Sequence, residues 1–276
     1  MRFKIVTDSS ADLTTLEGVA FANAPLKIIT DEREFVDDER LDVSEMLAYL
    51  KKYNGKSRSS CPNSEDYIAA FGDADGIFCV TITSGLSGSC NAAMNAAREY
   101  TETYPDRRVH VIDSLSTGPE NALIIEKLRE LILAGEDFDS VKEKITEYHK
   151  HTRLIFALES MHNLSRNGRV SPIVAKVAGM LGIRVVGRAS EVGTLEIADK
   201  PRGAHNMYES ILENMKKDGF SSGRVKIHHA ENPASADTLR EKILEKFPAA
   251  QVDIGYTRGL CSFYAELGGL LVGFEV

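Results

Sequence analysis

Ser84, Gly85, Ser87, Gly88 and Ser89 form a hydroxyl-rich glycine turn inside Thr81 to Ala93, TITSGLSGSCNAA. Residues of these types can hold an anion. Glycines let backbone N–H groups approach a ligand, serine hydroxyls donate to a carboxylate or a phosphate, and a helix N-terminus adds free donors and partial positive charge. The competing reading is that the serines merely cap the following helix. Both readings stay open on this segment alone. Asp8 and Asp113 end apolar runs in a similar way, in TDSS and IDSLSTG. An acid pair for catalysis or a metal is conceivable there. A strand-end aspartate, however, commonly bonds the loop N–H groups beside it, and that structural role is the stronger reading.

The elements that must carry these residues can be read from the apolar pattern. FKIVT (3–7), IFCVTI (77–82) and VHVID (109–113) have the β-branched character of buried strands. They alternate with helical patterns at Val43 to Tyr53, Ser64 to Phe71, Asn91 to Tyr104 and Pro119 to Ala134. Such alternation predicts parallel strands with crossover helices, an α/β sandwich. Ligands of open α/β sheets gather at the carboxyl ends of strands, so the three polar strand ends predict one cleft. Pro119 suits the first turn of its helix.

A second region follows the charged segment Val141 to Arg153. It reads as a strand at RLIFALES (153–160), an apolar helix at Pro172 to Leu181, and strand-like pieces at Ile183 to Gly187 and Thr194 to Ala198. A helix from Gly203 to Lys217, a strand at 224–230, a helix from Ala234 to Phe247 and two terminal strands complete it. This mixture predicts an α+β domain. The expected division is 1–151 and 152–276, with Ser57 to Asn63 able to cross to the second part.

Composition narrows the function. The 276 residues are 43% hydrophobic, enough for a sizeable core in one large or two ordinary domains. A net charge of −8 argues against nucleic acid as a partner. No membrane span is evident, and MRFKIVTDSS enters a strand without the apolar core of a signal peptide, so a cytoplasmic location is expected. Cys61, Cys79, Cys90 and Cys261 have neither zinc-type nor redox-type spacing, and reduced thiols are expected, with Cys79 buried in a strand.

Neither GxxxxGK nor GxGxxG after a strand occurs, which disfavours an autonomous ATP enzyme. GLSGS around Ser87 ends in serine where a nucleophile elbow has glycine. The histidines include no HExxH pair, and His228 and His229 must point to opposite faces of their strand. No metal and no cofactor are expected. His149 and His151 read as a solvated boundary. Arg166, Arg169 and Lys176 flank NGRVSP, and Lys200 and Arg202 lie in ADKPRG; these are solvated turns or contacts for an anion or a protein acid.

Taken in order, IVTDSSADL (5–13), RSSCPNSEDY (58–67), TSGLSGSCNAA (83–93), VIDSLSTG (111–118) and LSRNGRVS (164–171) resemble the DegV family of fatty-acid-binding proteins. The likeness extends through ADKPRG (198–203) to IGYTRGLCSFYAELGG (254–269) and covers essentially the whole chain. It implies a two-domain α/β protein with an N-terminal Rossmann-like α/β/α sandwich and a smaller C-terminal α+β domain. One long-chain fatty acid would lie between the two, with no catalytic site of the protein's own. Several family members are the acyl-binding subunit of a bacterial fatty acid kinase, whose separate kinase protein phosphorylates the presented carboxylate.

By position, the resemblance puts the carboxylate-binding hydroxyls on Ser59, Ser60 and Ser84, with Thr83 and Ser87 as neighbours. Arg169 and Arg202 fall on basic positions facing the kinase. The sequence departs from the family at the C-terminus, where a histidine before a glycine–proline turn is replaced by Cys261, Ser262, Phe263 and Tyr264. That change removes an imidazole donor and leaves Cys261 near the head group.

Burying a dozen methylenes at about 0.8 kcal/mol each would supply roughly 10 kcal/mol before entropy costs, so the tail provides affinity and the head group orientation. Ile173, Val177 and Met180 make one stripe that either contacts the tail or is plain core. The alternative is an α/β enzyme acting on a small phosphate or carboxylate through Asp8, Ser84 and Asp113. A short polar pocket would favour that enzyme, and a long apolar tunnel the lipid. A third reading is a sensor of another amphiphile.

Overall fold

The computed structural model describes residues 1–173, 176 and 182–276. Its strands are β1 (Phe3–Asp8), β2 (Ala20–Ala24), β3 (Lys27–Thr30), β4 (Glu34–Val36), β5 (Ser57–Ser60), β6 (Gly76–Thr81) and β7 (Arg108–Asp113). They continue as β8 (Thr152–Leu158), β9 (Val185–Ala189), β10 (Leu195–Asp199), β11 (Gly223–His229), β12 (Ala250–Tyr256) and β13 (Leu270–Glu275).

The first sheet has the order β2-β1-β6-β7 and every pairing in it is parallel, as the α/β alternation predicts. Strand β6 is buried at every residue because helices cover both of its faces. Ile77 and Cys79 join Tyr67, Phe71, Ala93 and Tyr100 on one side. Phe78 and Val80 join Ile124, Leu128, Phe138 and Val141 on the other. This period of two fixes the register of the sheet.

The second sheet is mixed, with the order β10-β9-β8-β13-β11-β12. Ile155 and Ala157 of β8 pack under the helices Ala204–Lys217 and Pro233–Lys246, among Ile211, Met215, Leu239 and Ile243. Leu154, Phe156 and Leu158 face the opposite way, with Leu164, Cys261 and Leu271. The helix Pro119–Leu133 contacts β1 and β6 of the first sheet and β8, β11 and β13 of the second. Its close approach to β13 requires Gly273: a Cβ there would lie 2.5 Å from the Glu120 nitrogen.

A third, antiparallel sheet, β4-β3-β5, was not foreseen from the sequence. Its strands have three or four residues, too few to display a period, and SRSS of β5 has no apolar face. Ile28 and Phe35 of this sheet form a core with Met46 and Leu47 of the helix Val43–Lys52 and Phe263 of the helix Gly259–Ala265. The C-terminal part of the chain thus plugs into the N-terminal part. The charged segment after Val141 lies largely within the helix Phe138–His149, whose buried stripe is only Phe138, Val141 and Ile145. His149 is not a free boundary residue, since its Nε2 meets the Ser114 carbonyl at 2.7 Å.

Most of the apolar helix predicted at Pro172 to Leu181, with Val177 and Met180, lies outside the described residues. Ile173 is 79% exposed. Among the described residues no helix is long and apolar enough to cross a membrane.

Candidate functional site

The carboxyl ends of β1, β6 and β7 meet at the edge of the first sheet, and their loops are tied together by buried carboxylates. Asp8 is fully buried and accepts from the Ser10 N–H (3.2 Å), the Ile82 N–H (3.0 Å) and the Ser89 hydroxyl (2.5 Å). The Ser10 hydroxyl donates to it as well. Burial raises the Asp8 pKa, and these donors offset part of that rise. Of the serine–glycine turn, the Ser89 hydroxyl is thus taken up by the protein's own Asp8 carboxyl. Asp113 likewise accepts the N–H groups of Ser84 (3.0 Å) and Leu115 (3.3 Å). Both aspartates serve loop geometry.

Next to this framework lies a candidate tunnel, a largely apolar pocket with about 670 Å³ of space between atoms, mouth included. Its walls come from both parts of the chain: Leu26, Ile82 and Leu86 from the first, and Leu154, Phe156, Leu158, Leu195 and Leu271 from the second. Polar groups are few. Ser59, Ser87, Thr117 and Arg169 reach the lining, with the Tyr264 hydroxyl 2.7 Å from the Ser59 hydroxyl. A pocket so composed suits an apolar chain with a small polar head, as convergent hydroxyls in an otherwise apolar wall orient one end of a ligand.

Leu260, Cys261, Tyr264 and Ala265 bring one wall of the tunnel on the helix Gly259–Ala265. Two buried carboxylates of the N-terminal part pin its start. Asp37 accepts the N–H groups of Gly259 (2.8 Å) and Leu260 (2.7 Å), satisfying donors that a helix N-terminus leaves free. Asp12 accepts the Arg258 N–H at 2.6 Å and pairs with His228 Nδ1 at 2.9 Å. Burial pushes the Asp37 pKa up to about 6 against the pull of the two N–H donors, and the nearby Asp12 charge adds to the rise. His229 points the other way, where its Nδ1 accepts the Asn232 N–H.

The structure separates the residues that the sequence put forward. Ser59, Ser87 and Cys261 line the tunnel. The Cys261 thiol is buried, 3.4 Å from the Ser10 carbonyl and 3.5 Å from the Thr117 hydroxyl, and burial raises its pKa well above that of a free thiol. The Ser60 hydroxyl is 3.4 Å from the Cys61 carbonyl. Thr83 donates to the Gly193 carbonyl at 2.8 Å and accepts from the Gly85 N–H at 3.0 Å, so its hydroxyl joins the β6 loop to the β9–β10 turn. Ser84 is exposed and outside the tunnel lining. Arg169 belongs to the wall, with Nε donating to the Leu86 carbonyl at 3.1 Å, whereas Arg202 is exposed.

Thr117 and Tyr264 were missed as site residues. Tyr264 offered one signal: it lies in the segment where the family histidine is absent, and its hydroxyl supplies a polar partner to Ser59. Burial raises the Tyr264 pKa, so its hydroxyl stays neutral.

The family model described as "Uncharacterised protein, DegV family" matches residues 2–275. The chain belongs to the DegV family. A DegV domain-containing protein of Streptococcus pneumoniae strain R6 is 44% identical over 280 residues, with 100% of each chain covered. The crystal structure of the Streptococcus pneumoniae Fatty Acid Kinase (Fak) B3 protein loaded with linoleic acid has a TM-score of 0.98 at 43% identity, covering 100% of both chains. That of a DegV family protein from Eubacterium eligens loaded with heptadecanoic acid has a TM-score of 0.97 at 42% identity over 99% of each. The DegV α/β fold is therefore shared along the whole chain.

Proposed function

We propose that this DegV chain binds one long-chain fatty acid in the tunnel between residues 1–151 and 152–276, in the cytoplasm, without a catalytic site of its own. The observation that carries the reading is the lining of the tunnel: mainly leucine and other apolar side chains, and polar only at a few hydroxyls, one thiol and Arg169. The two similar structures loaded with linoleic and heptadecanoic acid support it. Ser59, Ser87 and Tyr264 form the head-group end, with Ser60, Thr83 and Ser84 shaping the loops around it and Cys261 lining the wall one helical turn before Tyr264. Neutral hydroxyls can donate to a carboxylate and accept from a protonated acid, so they serve either state of a head group in a nearly dry site.

Binding would be followed by presentation to a separate ATP-dependent kinase, with Arg169 and Arg202 on the presenting face. The similarity to the Fak B3 protein supports this step. The small-substrate enzyme has no corresponding support, because Asp8 and Asp113 are occupied by loop donors and the tunnel is apolar.

Titration with palmitate or oleate tests the head-group assignment. Ser59→Ala and Tyr264→Phe each remove one hydroxyl and should weaken binding by about 1 kcal/mol, close to fivefold, while leaving most of the tail's contribution intact. Unchanged affinity in both variants would place the carboxylate elsewhere.

A further inference from the structure

Leu154 is the one residue, among those described, that lines both the apolar tunnel and a second space. That second space is a polar cleft of about 1680 Å³ on the same measure, bordered by Glu120, Lys150, Arg153, Arg188, Glu191 and Asp218. Leu154 itself is 2% exposed and borders both spaces.

Strand β8 gives the tunnel a direction. Alternate residues share one face of a strand, and Leu158, Phe156 and Leu154 form a continuous apolar floor. Leu158 is at the end that leads into the helix His162–Arg166, whose Leu164 lines the tunnel with Arg169 near the hydroxyls. Leu154 stands about 13 Å further along, at roughly 3.3 Å per residue. One step beyond on the same face, Thr152 donates to the buried Glu120 carboxylate at 2.8 Å. A methylene chain laid on this floor has carbon beneath it as far as Leu154, with the Thr117 hydroxyl and the Cys261 thiol on the walls beside it. Past it the chain end would meet a hydrogen-bonded acid and lose apolar burial.

We propose that Leu154 sets the upper limit of acyl length, by separating the apolar tunnel from the polar cleft. The inference rests on the fatty-acid reading above. It makes Leu154 a specificity-determining residue and the tail end of the tunnel a fixed stop.

The test is a ladder of saturated acids from dodecanoate to eicosanoate, bound to delipidated wild type, Leu154→Phe and Leu154→Ala, with a thermal melt of each. A bulkier stop should lower the eicosanoate-to-dodecanoate affinity ratio by about tenfold, and a smaller one should raise it by a similar factor. If the phenylalanine variant does not fold, Leu154→Met, close in volume, replaces it and should move the ratio less than alanine does. Ratios unchanged from wild type, or affinities that fall in parallel along the whole ladder, would overturn the assignment while leaving fatty-acid binding intact. Wild type that binds no acid would instead overturn the function on which the inference rests.

Discussion

Asp8→Ala is expected to destabilise the protein by about 3–5 kcal/mol, because it removes a buried acceptor shared by several donors. Truncation leaves the N–H groups of Ser10 and Ile82 and the hydroxyls of Ser10 and Ser89 without their common acceptor. Each buried orphan costs about 1–3 kcal/mol, and relaxation recovers part of the sum. The loss falls on the loops after β1 and β6, next to Ile82, Leu86 and Ser87 of the tunnel wall. Urea unfolding should show the midpoint falling at unchanged slope, and a shift below 1 kcal/mol would refute the role given to Asp8.

Asp37→Ala should have the second largest effect, and a pH signature of its own. Removing the carboxylate orphans the Gly259 and Leu260 N–H groups at the start of the helix that carries Cys261 and Tyr264, for a loss of about 2–4 kcal/mol. The folded pKa of about 6 lies above the ordinary 3.8. A raised carboxyl pKa means that the folded state takes up the proton first. The stability linked to Asp37 is therefore fully present below about pH 4 and is lost as pH rises through about 6. The deficit of the variant relative to wild type should accordingly grow as pH falls from 7 to 4.5, by about 2 kcal/mol. Melting both proteins across that range checks the sign, and a deficit that shrinks toward low pH would contradict it.

These two carboxylates also mark how far the sequence could be read. The parallel sheet was legible because IFCVTI and VHVID are long, β-branched runs between helical patterns, and because β6 is covered on both faces. The convergence of polar strand ends followed from that topology. Asp8 ends a strand and bonds Ser10 beside it, as strand-end aspartates do, whereas its bonds to Ile82 and Ser89 required the fold. Asp37 gave no comparable signal, since its partners lie more than two hundred residues away at Gly259 and Leu260. The small sheet β4-β3-β5 was hidden for a local reason: three or four residues cannot show a period.

Within the site, a hydroxyl's role depended on direction, which sequence does not encode. Ser87 and Ser89 lie two residues apart, yet one lines the tunnel and the other turns inward to Asp8. Thr83 stood beside the expected head-group hydroxyls, and its own hydroxyl bonds the Gly193 carbonyl across the molecule. Tyr264 was in view only as part of a departure from the family pattern. Its proximity to Ser59 required the fold.

The most direct measurement is mass spectrometry of the organic extract from the purified, heat-denatured protein. The account predicts close to one equivalent of a long-chain fatty acid per chain, released on denaturation and restored when oleate or palmitate is added to the delipidated protein. An extract without fatty acid, together with no binding of either added acid, would contradict it.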